Sequence, residues 1–332
     1  CELCGYINAF FRMKIIEKIK NSDRVLFTLE IVPPEKGYSL KEIFDTIESV
    51  KEFKPAVIDV TYHRADYIQV KDKNGSAIKS MKRKRPGTVG ICSAILNKFG
   101  IDPIPHIICG GFTKEEIEDI LIDLHFLGID NLLLLQGDKL ADEPHFMPTK
   151  GGYSYAYELV ESVSNLNKGL FLGNETIMEE KFDFCIGVAG YPEKHYAAKS
   201  FEDDLKNLKN KVDKGADYIV TQMFFDSQKY FNFVKEARRL GISVPIIPGI
   251  KPITSKKQLK IVPQKFFTDI PVELSKEINS SDDSEKIKEI GIQWCVEQCK
   301  ELMKNKVPAL HFYTLGKAYP TVDVLRKIFP DL

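Results

Sequence analysis

The sequence has no long apolar segment and no excess of charge of either sign. An apolar run such as Leu132–Leu135 falls well short of the ~20 residues that a membrane-spanning helix needs. Lysine plus arginine and aspartate plus glutamate both number 47, so the formal net charge is zero. A neutral chain has no overall field to attract nucleic acid. We therefore expect a cytoplasmic protein that binds neither membranes nor nucleic acid.

The cysteines also lack the spacing of a disulfide or metal-binding framework. There are seven, and Cys1 and Cys4 form a single CxxC without a second pair, whereas structural zinc needs four ligands. We predict no metal site. The sequence contains no GxGxxG motif, so nothing in it indicates a separate dinucleotide-binding domain. Because Met13 resembles a natural start, residues 1–12 are interpreted as a non-native or disordered extension and residues 13–332 as one catalytic barrel.

What the sequence does contain is a regular alternation of short apolar strands and helical patterns. The predicted strands are Leu26–Leu29, Val57–Val60, Ile104–Pro105, Asn131–Leu135, Phe184–Ala189, Tyr218–Thr221, Pro245–Ile247 and Ala309–Thr314. The predicted helices are Leu40–Phe53, Lys114–Leu127, Tyr155–Asn167, Phe201–Lys214, Gln228–Leu240, Ser284–Lys304 and Ala318–Phe329. Eight strands alternating with helices predict an α/β protein, a single-domain (β/α)8 TIM barrel with extra helices.

Local signals support individual helix starts. Thr113 and Glu116 have the spacing of a capping box, and Ser200 is a typical N-cap residue before a turn rich in acids. The basic run Lys82–Arg85 precedes Pro86-Gly87 and is interpreted as a solvated face or a hairpin arm.

Polar side chains gather where the predicted strands end. Glu30, Thr61, His106, Asp138 and Gln222 each close or follow a strand. The carboxyl ends of parallel barrel strands form the active face of such enzymes. We therefore predict a functional site at this end of the barrel.

Ordered motifs at these strand ends carry a family resemblance. They are Leu29-Glu30-Ile31-Val32-Pro33-Pro34, Val60-Thr61-Tyr62, Pro105-His106, Gly137-Asp138, Tyr191-Pro192-Glu193-Lys194-His195, Thr221-Gln222-Met223-Phe224-Phe225-Asp226, Ile247-Pro248-Gly249-Ile250 and His311-Phe312-Tyr313-Thr314-Leu315. From Met13 to Phe329 the chain resembles the methylenetetrahydrofolate reductase family, in its bacterial form with the catalytic barrel alone. The resemblance implies non-covalent FAD, NADH or NADPH as co-substrate, and a homo-oligomer. It also implies reduction of 5,10-methylenetetrahydrofolate to 5-methyltetrahydrofolate, in one-carbon metabolism and methionine biosynthesis.

The resemblance gives Glu30 and Asp138 catalytic roles. Opening the five-membered ring of the folate requires a proton donor, and the apolar neighbours of Glu30 predict burial that would keep its carboxyl protonated near neutral pH. Asp138 matches the family carboxylate near flavin and folate, where a negative charge stabilises a cationic intermediate. The structural alternatives are a salt bridge at the barrel rim for Glu30, and a turn residue or N-cap for Asp138.

The resemblance also assigns binding residues. Gln222, Gln258 and Lys317 would contact the folate, while Thr61, His106, Asp138, Tyr191, His195, Asp204 and Lys211 would contact the flavin. The alternatives are a barrel-layer hydrogen bond for Gln222, a solvated helix position for Gln258, a strand cap for His106 and an ion pair for Lys211.

Two motifs depart from the family pattern. Gln136-Gly137-Asp138 stands where relatives usually have Arg-Gly-Asp, which removes a charge that could help to hold flavin. Thr314-Leu315-Gly316-Lys317 stands where relatives usually have Thr-Leu-Asn-Arg, so a point charge replaces a bidentate fork near the folate carboxylate. FAD affinity and recognition of the folate glutamate are therefore open.

Two other functional classes stay open at this point. One is a flavin- and folate-binding subunit that receives electrons from a partner protein instead of NAD(P)H. The other is a redox-free pterin-binding barrel such as a methyltransferase, which would be colourless. Because the sequence ends at Leu332, directly after the last predicted helix, we do not expect the S-adenosylmethionine-binding regulatory domain of eukaryotic relatives, or feedback by that ligand.

Overall fold

The computed structural model describes residues 12–82, 85–140, 143–174, 176–316 and 318–330. The strands in these ranges are β1 Leu26–Ile31, β2 Ile58–Val60, β3 Asp66–Lys71, β4 Ala77–Lys82, β5 Pro103–Ile108, β6 Asn131–Leu135, β7 Cys185–Gly190, β8 Tyr218–Met223, β9 Ile246–Ile250 and β10 Ala309–Tyr313. The helices are α1 Ile15–Lys20, α2 Lys41–Lys51, α3 Thr88–Phe99, α4 Lys114–Phe126, α5 Ala156–Leu166, α6 Phe201–Asp213, α7 Ser227–Arg239, α8 Gln258–Phe266, α9 Val272–Asn279, α10 Ser284–Lys304 and α11 Tyr319–Ile328. The CxxC cysteines and Lys317 lie outside the described residues, as does all of the predicted extension except Arg12.

Eight parallel strands close into a barrel in the order β1-β10-β9-β8-β7-β6-β5-β2, which confirms the predicted (β/α)8 fold. The other two strands, β3 and β4, form an antiparallel hairpin after β2. Lys82 ends β4, in agreement with the hairpin-arm interpretation of the start of the basic run. No helix among the described residues has the length and apolar character to cross a membrane.

Alternation along the strands separates apolar residues that pack outside the barrel from those that pack inside it. Phe27, Leu29 and Ile31 of β1 pack in the large core between the strands and the outer helices. A smaller cluster contains alternate positions of several strands, including Val57 and Leu133, together with Ile15 of α1. The backbone N–H of Ile15 donates to the Asn131 side chain over 2.8 Å, so α1 packs at the amino end of the barrel. The polar residues of the site occupy the opposite end.

The predicted helix starts at Thr113 and Ser200 are confirmed. Thr113 Oγ1 accepts from the backbone N–H of Glu116 at 3.2 Å, and the Glu116 carboxylate accepts from the backbone N–H of Thr113 at 2.8 Å. Ser200 Oγ accepts from the backbone N–H of Asp203 at 3.1 Å. These contacts satisfy backbone donors that the first helical turn leaves unpaired.

The sequence analysis did not predict α1, α3, α8 or α9, and it gave a hairpin arm only as one of two interpretations of the basic run Lys82–Arg85. The start of α3 directly follows Pro86-Gly87, which favours a turn, and the helix interior mixes β-branched residues with Gly90. Its end at Gly100, with φ of 64°, is a typical C-terminal signal. In α8, Pro263 lies inside the helix and weakens the helical pattern.

Gly291 lets α10 pack closely against the segment that follows β9. A Cβ at this position would lie 1.6 Å from the carbonyl oxygen of Ile253. We expect Gly291→Ala to lower the free energy of unfolding by about 1–3 kcal/mol through overpacking. The matched control is Gly90→Ala in α3, where a Cβ would meet no atom within 4 Å; it should be neutral or slightly stabilising. Urea denaturation measures both, and equal effects would contradict this account of the packing.

Candidate active site

Glu30 lies near the carboxyl end of β1 and is only 7% exposed. Its backbone carbonyl accepts from Thr314 Oγ1 at 2.7 Å, which ties β1 to the residue that follows β10. Burial raises the pKa of the Glu30 carboxyl to about 7, with a smaller contribution in the same direction from Asp59. His106, Lys251 and Lys265 act in the opposite direction. The burial expected from the apolar neighbours of Glu30 is thus observed, and it moves the pKa of the carboxyl toward neutral pH.

A layer of buried polar side chains lies inside the barrel beside Glu30. Asp59 is 1% exposed, with Oδ1 3.6 Å from His106 Nε2 and Oδ2 3.6 Å from His311 Nδ1. His311 Nδ1 also lies 2.7 Å from Thr28 Oγ1. Burial lowers the pKa of His311 to about 4, so its imidazole is neutral at neutral pH. Sequence analysis identified only His106 of this layer. The acidic residue Asp59 in an otherwise apolar strand was the signal for the rest of the layer.

A second cluster joins the loop after β7 to α6. The rings of Tyr191 and His195 meet edge to face at 4.6 Å, and the backbone N–H of His195 donates to Asp204 Oδ2 at 2.9 Å. Lys211 Nζ donates to the carbonyl oxygen of Ala189 at 2.6 Å. Burial lowers the pKa of Lys211 to about 8 despite the opposing Asp204 carboxylate. The structure therefore brings four of the predicted flavin-binding residues together.

Burial also lowers the pKa of His195 to about 4, and Lys211 and Lys194 add to this effect. The imidazole is therefore a neutral hydrogen-bonding group at neutral pH. Burial raises the pKa of the Tyr191 hydroxyl, as do the carboxylates of Asp204 and Asp138. Tyr191 thus remains a neutral phenol that lies within electrostatic range of the loop carrying Asp138.

Asp138 is exposed on the loop that follows β6, and a long-range ion pair holds this loop. Arg64 Nη1 lies 3.0 Å from Glu143 Oε2, Arg64 Nη2 lies 3.1 Å from Glu143 Oε1, and Nη1 also donates to the carbonyl oxygen of Asp138 at 3.4 Å. The guanidinium group lies over the ring of Phe146. The sequence analysis missed this pair because its members are 79 residues apart.

The remaining predicted residues have local partners. Gln222 in β8 accepts from the backbone N–H of Met223 at 2.9 Å. Gln258, the first residue of α8, accepts from the backbone N–H of Thr254 at 2.6 Å. Thr61 Oγ1 lies 3.1 Å from His63 Nε2. Gln222 thus lies in a barrel strand, whereas the Gln258 side chain bonds to the turn that precedes its own helix. Lys317 is outside the described residues.

A bridge of charges connects the loop after β7 to the segment after α8. Lys229 Nζ lies 2.5 Å from Glu193 Oε2 and 2.6 Å from Asp269 Oδ2. The rings of Tyr196 and Phe267 stack with centroids 5.0 Å apart. The segment between α8 and α9 therefore contacts and supports the loop that carries Tyr191 and His195.

A cavity of about 1060 Å³ opens at one side of this region. Its walls are the segments 34–40 and 85–91 together with side chains of β5 and α4. Of the predicted flavin-binding residues that the structure describes, only His106 lines it. The described residues contain no group of three or more histidine, cysteine or acidic side chains placed to bind a metal.

The fold and the site define a (β/α)8-barrel protein with a buried titratable acid among polar residues at the carboxyl ends of its strands. The sequence matches the family described as methylenetetrahydrofolate reductase over residues 15–328. It is 32% identical to 5,10-methylenetetrahydrofolate reductase of Escherichia coli, over 88% of this chain and 86% of that protein. The chain therefore belongs to the methylenetetrahydrofolate reductase family.

Longer relatives match as well. Methylenetetrahydrofolate reductase 1 of Schizosaccharomyces pombe is 31% identical over 92% of this chain and 46% of that protein. Methylenetetrahydrofolate reductase (NADH) 1 of Arabidopsis thaliana is 29% identical over 95% of this chain and 51% of that protein. The chain thus spans about half the length of these curated relatives.

The fold is also similar to that of a protein of known structure. It is an uncharacterized protein from Clostridium thermocellum that binds two copies of 5-methyl-5,6,7,8-tetrahydrofolic acid. The TM-score is 0.54 at 16% identity, and the alignment covers 94% of this chain and 96% of that chain.

The raised pKa of Glu30 predicts a pH-dependent stability. The folded state binds this proton more tightly than the unfolded chain, so the neutral carboxyl stabilises the fold at low pH, and this contribution is lost as pH rises through about 7. As the pH rises from about 5 to about 8, the wild type loses this contribution and Glu30→Gln does not. The free energy of unfolding of Glu30→Gln should therefore increase relative to that of the wild type by up to about 3 kcal/mol. Urea denaturation at both pH values measures it. Glu289→Gln, at an exposed position on α10, is the control, and an identical pH response of the two variants would contradict the prediction.

Proposed function

We propose that this protein reduces 5,10-methylenetetrahydrofolate to 5-methyltetrahydrofolate with NADH or NADPH, using non-covalently bound FAD, and that Glu30 is the general acid. The observation that carries the proposal is the buried Glu30, with a pKa of about 7, at the active end of a barrel that belongs to this family. The name of the Arabidopsis thaliana relative includes NADH, which supports testing that donor first.

Glu30 suits the proton transfer that the reaction needs. Protonation of N10 opens the five-membered ring of the folate and leaves an iminium cation at N5. A general acid works best when its pKa lies near the working pH, as the pKa of Glu30 does. Asp138 would stabilise the cation through its negative charge. Gln222 would bind the pterin through an amide that both donates and accepts hydrogen bonds, and Gln258 and Lys317 would contact the rest of the folate.

The residues around the barrel mouth fit a flavin dinucleotide. Tyr191, His195, Asp204 and Lys211 offer phenol, imidazole, carboxylate and amine groups in one cluster. His106 has a buried Nε2 without a hydrogen-bond partner among the described residues, and Thr61 offers a hydroxyl. When bound, FAD would supply the hydride that reduces the iminium carbon.

The decisive experiment is the visible spectrum of the purified protein under anaerobic conditions. Flavin bands that bleach with NADH or NADPH and return with 5,10-methylenetetrahydrofolate would support the reductase. Flavin that stays oxidised with both nucleotides would instead favour a subunit that a partner protein reduces. Protein that binds no added FAD would contradict the cofactor assignment and favour a redox-free pterin-binding barrel.

Glu30→Gln should separate the two half-reactions. Flavin reduction by the nicotinamide nucleotide should stay near the wild-type rate, whereas reoxidation by the folate should slow by about 100-fold or more, because the proton donor is lost. Stopped-flow absorbance measures each step separately, with Glu289→Gln as the control. Equal loss of both half-reactions would mean that Glu30 is not the acid.

Lys211→Met should weaken FAD binding, because it removes the amine from the cluster of Tyr191, His195, Asp204 and Lys211 while it keeps an unbranched side chain. We expect the dissociation constant for FAD to rise by roughly tenfold or more. Fluorescence titration of the FAD-free protein measures this constant. Lys206→Met, at an exposed position on the same helix, is the matched control, and FAD binding as tight as in that control would rule out the contact.

A further inference from the structure

Glu30 has a second buried carboxyl group as its neighbour inside the barrel. Glu30 of β1 is paired in register with Asp59 of β2. Thr28 and Glu30 alternate with residues that pack in the outer core, and Asp59 follows Val57 of the inner cluster by two residues. Since side chains alternate along a strand, Glu30 and Asp59 both face the interior. Both are buried, with exposures of 7% and 1%.

Among the described residues, the buried Oδ1 atom of Asp59 accepts no hydrogen bond. His106 Nε2 and His311 Nδ1 each lie 3.6 Å from a carboxylate oxygen of Asp59, which is beyond a normal hydrogen bond. Asp59 Oδ1 and His106 Nε2 are both buried without a hydrogen-bond partner among the described residues. Because low local dielectric strengthens electrostatic interactions, a charge on Asp59 acts on Glu30.

We propose that Asp59 is a positioning residue that keeps the neighbouring Glu30 carboxyl in its protonated form, ready to donate. Two carboxyl groups that share one buried site cannot easily both ionise. The charge of Asp59 therefore holds the proton on Glu30 without touching the substrate. This catalytic meaning rests on the proposed function, whereas the interaction between the two carboxyl groups does not.

Charged groups from several other segments act on the Glu30 carboxyl and set the balance. Asp59 of β2 disfavours ionisation of Glu30, while His106 of β5, Lys251 directly after β9 and Lys265 of α8 favour it. On β10, Tyr313 is the register partner of Glu30. His311, whose imidazole is neutral, lies two residues before Tyr313, toward the amino end of the strand. Lys251 is only 6% exposed. Removing Asp59 or Lys251 should therefore change the protonation of Glu30 in opposite directions.

Difference infrared spectroscopy tests the proposal directly, since a protonated carboxyl group has its own C=O stretching band. Glu30→Gln identifies the Glu30 band, which in the wild type should disappear with a midpoint of about pH 7. Asp59→Asn should lower this midpoint by about one pH unit or more. Lys251→Met should raise it. An unchanged or raised midpoint in Asp59→Asn would overturn the proposal.

A second variant covers the case in which Asp59→Asn does not fold. Asp59→Thr removes the same charge with a β-branched residue that suits a strand, as Thr28 does on the neighbouring strand. Circular dichroism checks the fold before each titration. The same downward shift is expected, and a Glu30 midpoint at the wild-type value in Asp59→Thr would equally overturn the proposal.

Kinetics separate failure of this inference from failure of the proposed function. If the wild-type protein reduces the folate, the high-pH limb of that half-reaction should move down in Asp59→Asn by the same interval as the infrared midpoint, while flavin reduction keeps its pH profile. If the high-pH limb of folate reduction does not move in Asp59→Asn, the role of Asp59 is contradicted while the proposed function is not. A wild type without folate turnover would contradict the proposed function, and the infrared titration would still test the pairing of the two carboxyl groups.

Discussion

Closure of eight parallel strands forces alternate residues of each strand into a narrow interior, and the site depends on this constraint. In β1, Phe27, Leu29 and Ile31 fill the outer core, so Thr28 and Glu30 face inward. A one-residue slip of β1 would place Glu30 among the outer helices and leave an apolar residue at the barrel mouth. The interior is apolar toward the amino ends of the strands and polar toward their carboxyl ends. The position of the acid is thus a consequence of strand register.

The loops around the acid are held by ion pairs that join distant parts of the chain. Arg64 and Glu143 fix the loop that carries Asp138, and Lys229 bridges Glu193 to Asp269 beside the Tyr191–His195 loop. Isolated surface pairs contribute little to stability. The side chains of Arg64 and Glu143 are only 12% and 15% exposed, however, and their contact is bidentate, a geometry that orients both groups. These pairs therefore keep separate strand-end loops in one arrangement.

Much of the fold was predictable because the barrel strands and most helices carry a strong local pattern. The burial of Glu30 was predictable as well, since all its neighbours in sequence are apolar. By contrast, α3 and α8 contain Gly90 and Pro263, which weaken the helical signal. The Arg64–Glu143 pair could not be predicted because nothing local relates two residues on different loops. Asp59 was overlooked because one carboxylate in an apolar strand does not alter the strand prediction.

The same arrangement explains why the acid needs charged neighbours in addition to burial. Burial alone can raise the pKa of a carboxyl by several units, to a value at which the acid no longer releases its proton readily. His106, Lys251 and Lys265 oppose that effect, and Asp59 restores part of it. These groups come from two strands, one helix and the segment after β9, so the closed barrel is what brings their charges to bear on one carboxyl. The acidity of Glu30 is therefore a property of the whole barrel mouth, because no single neighbour determines it.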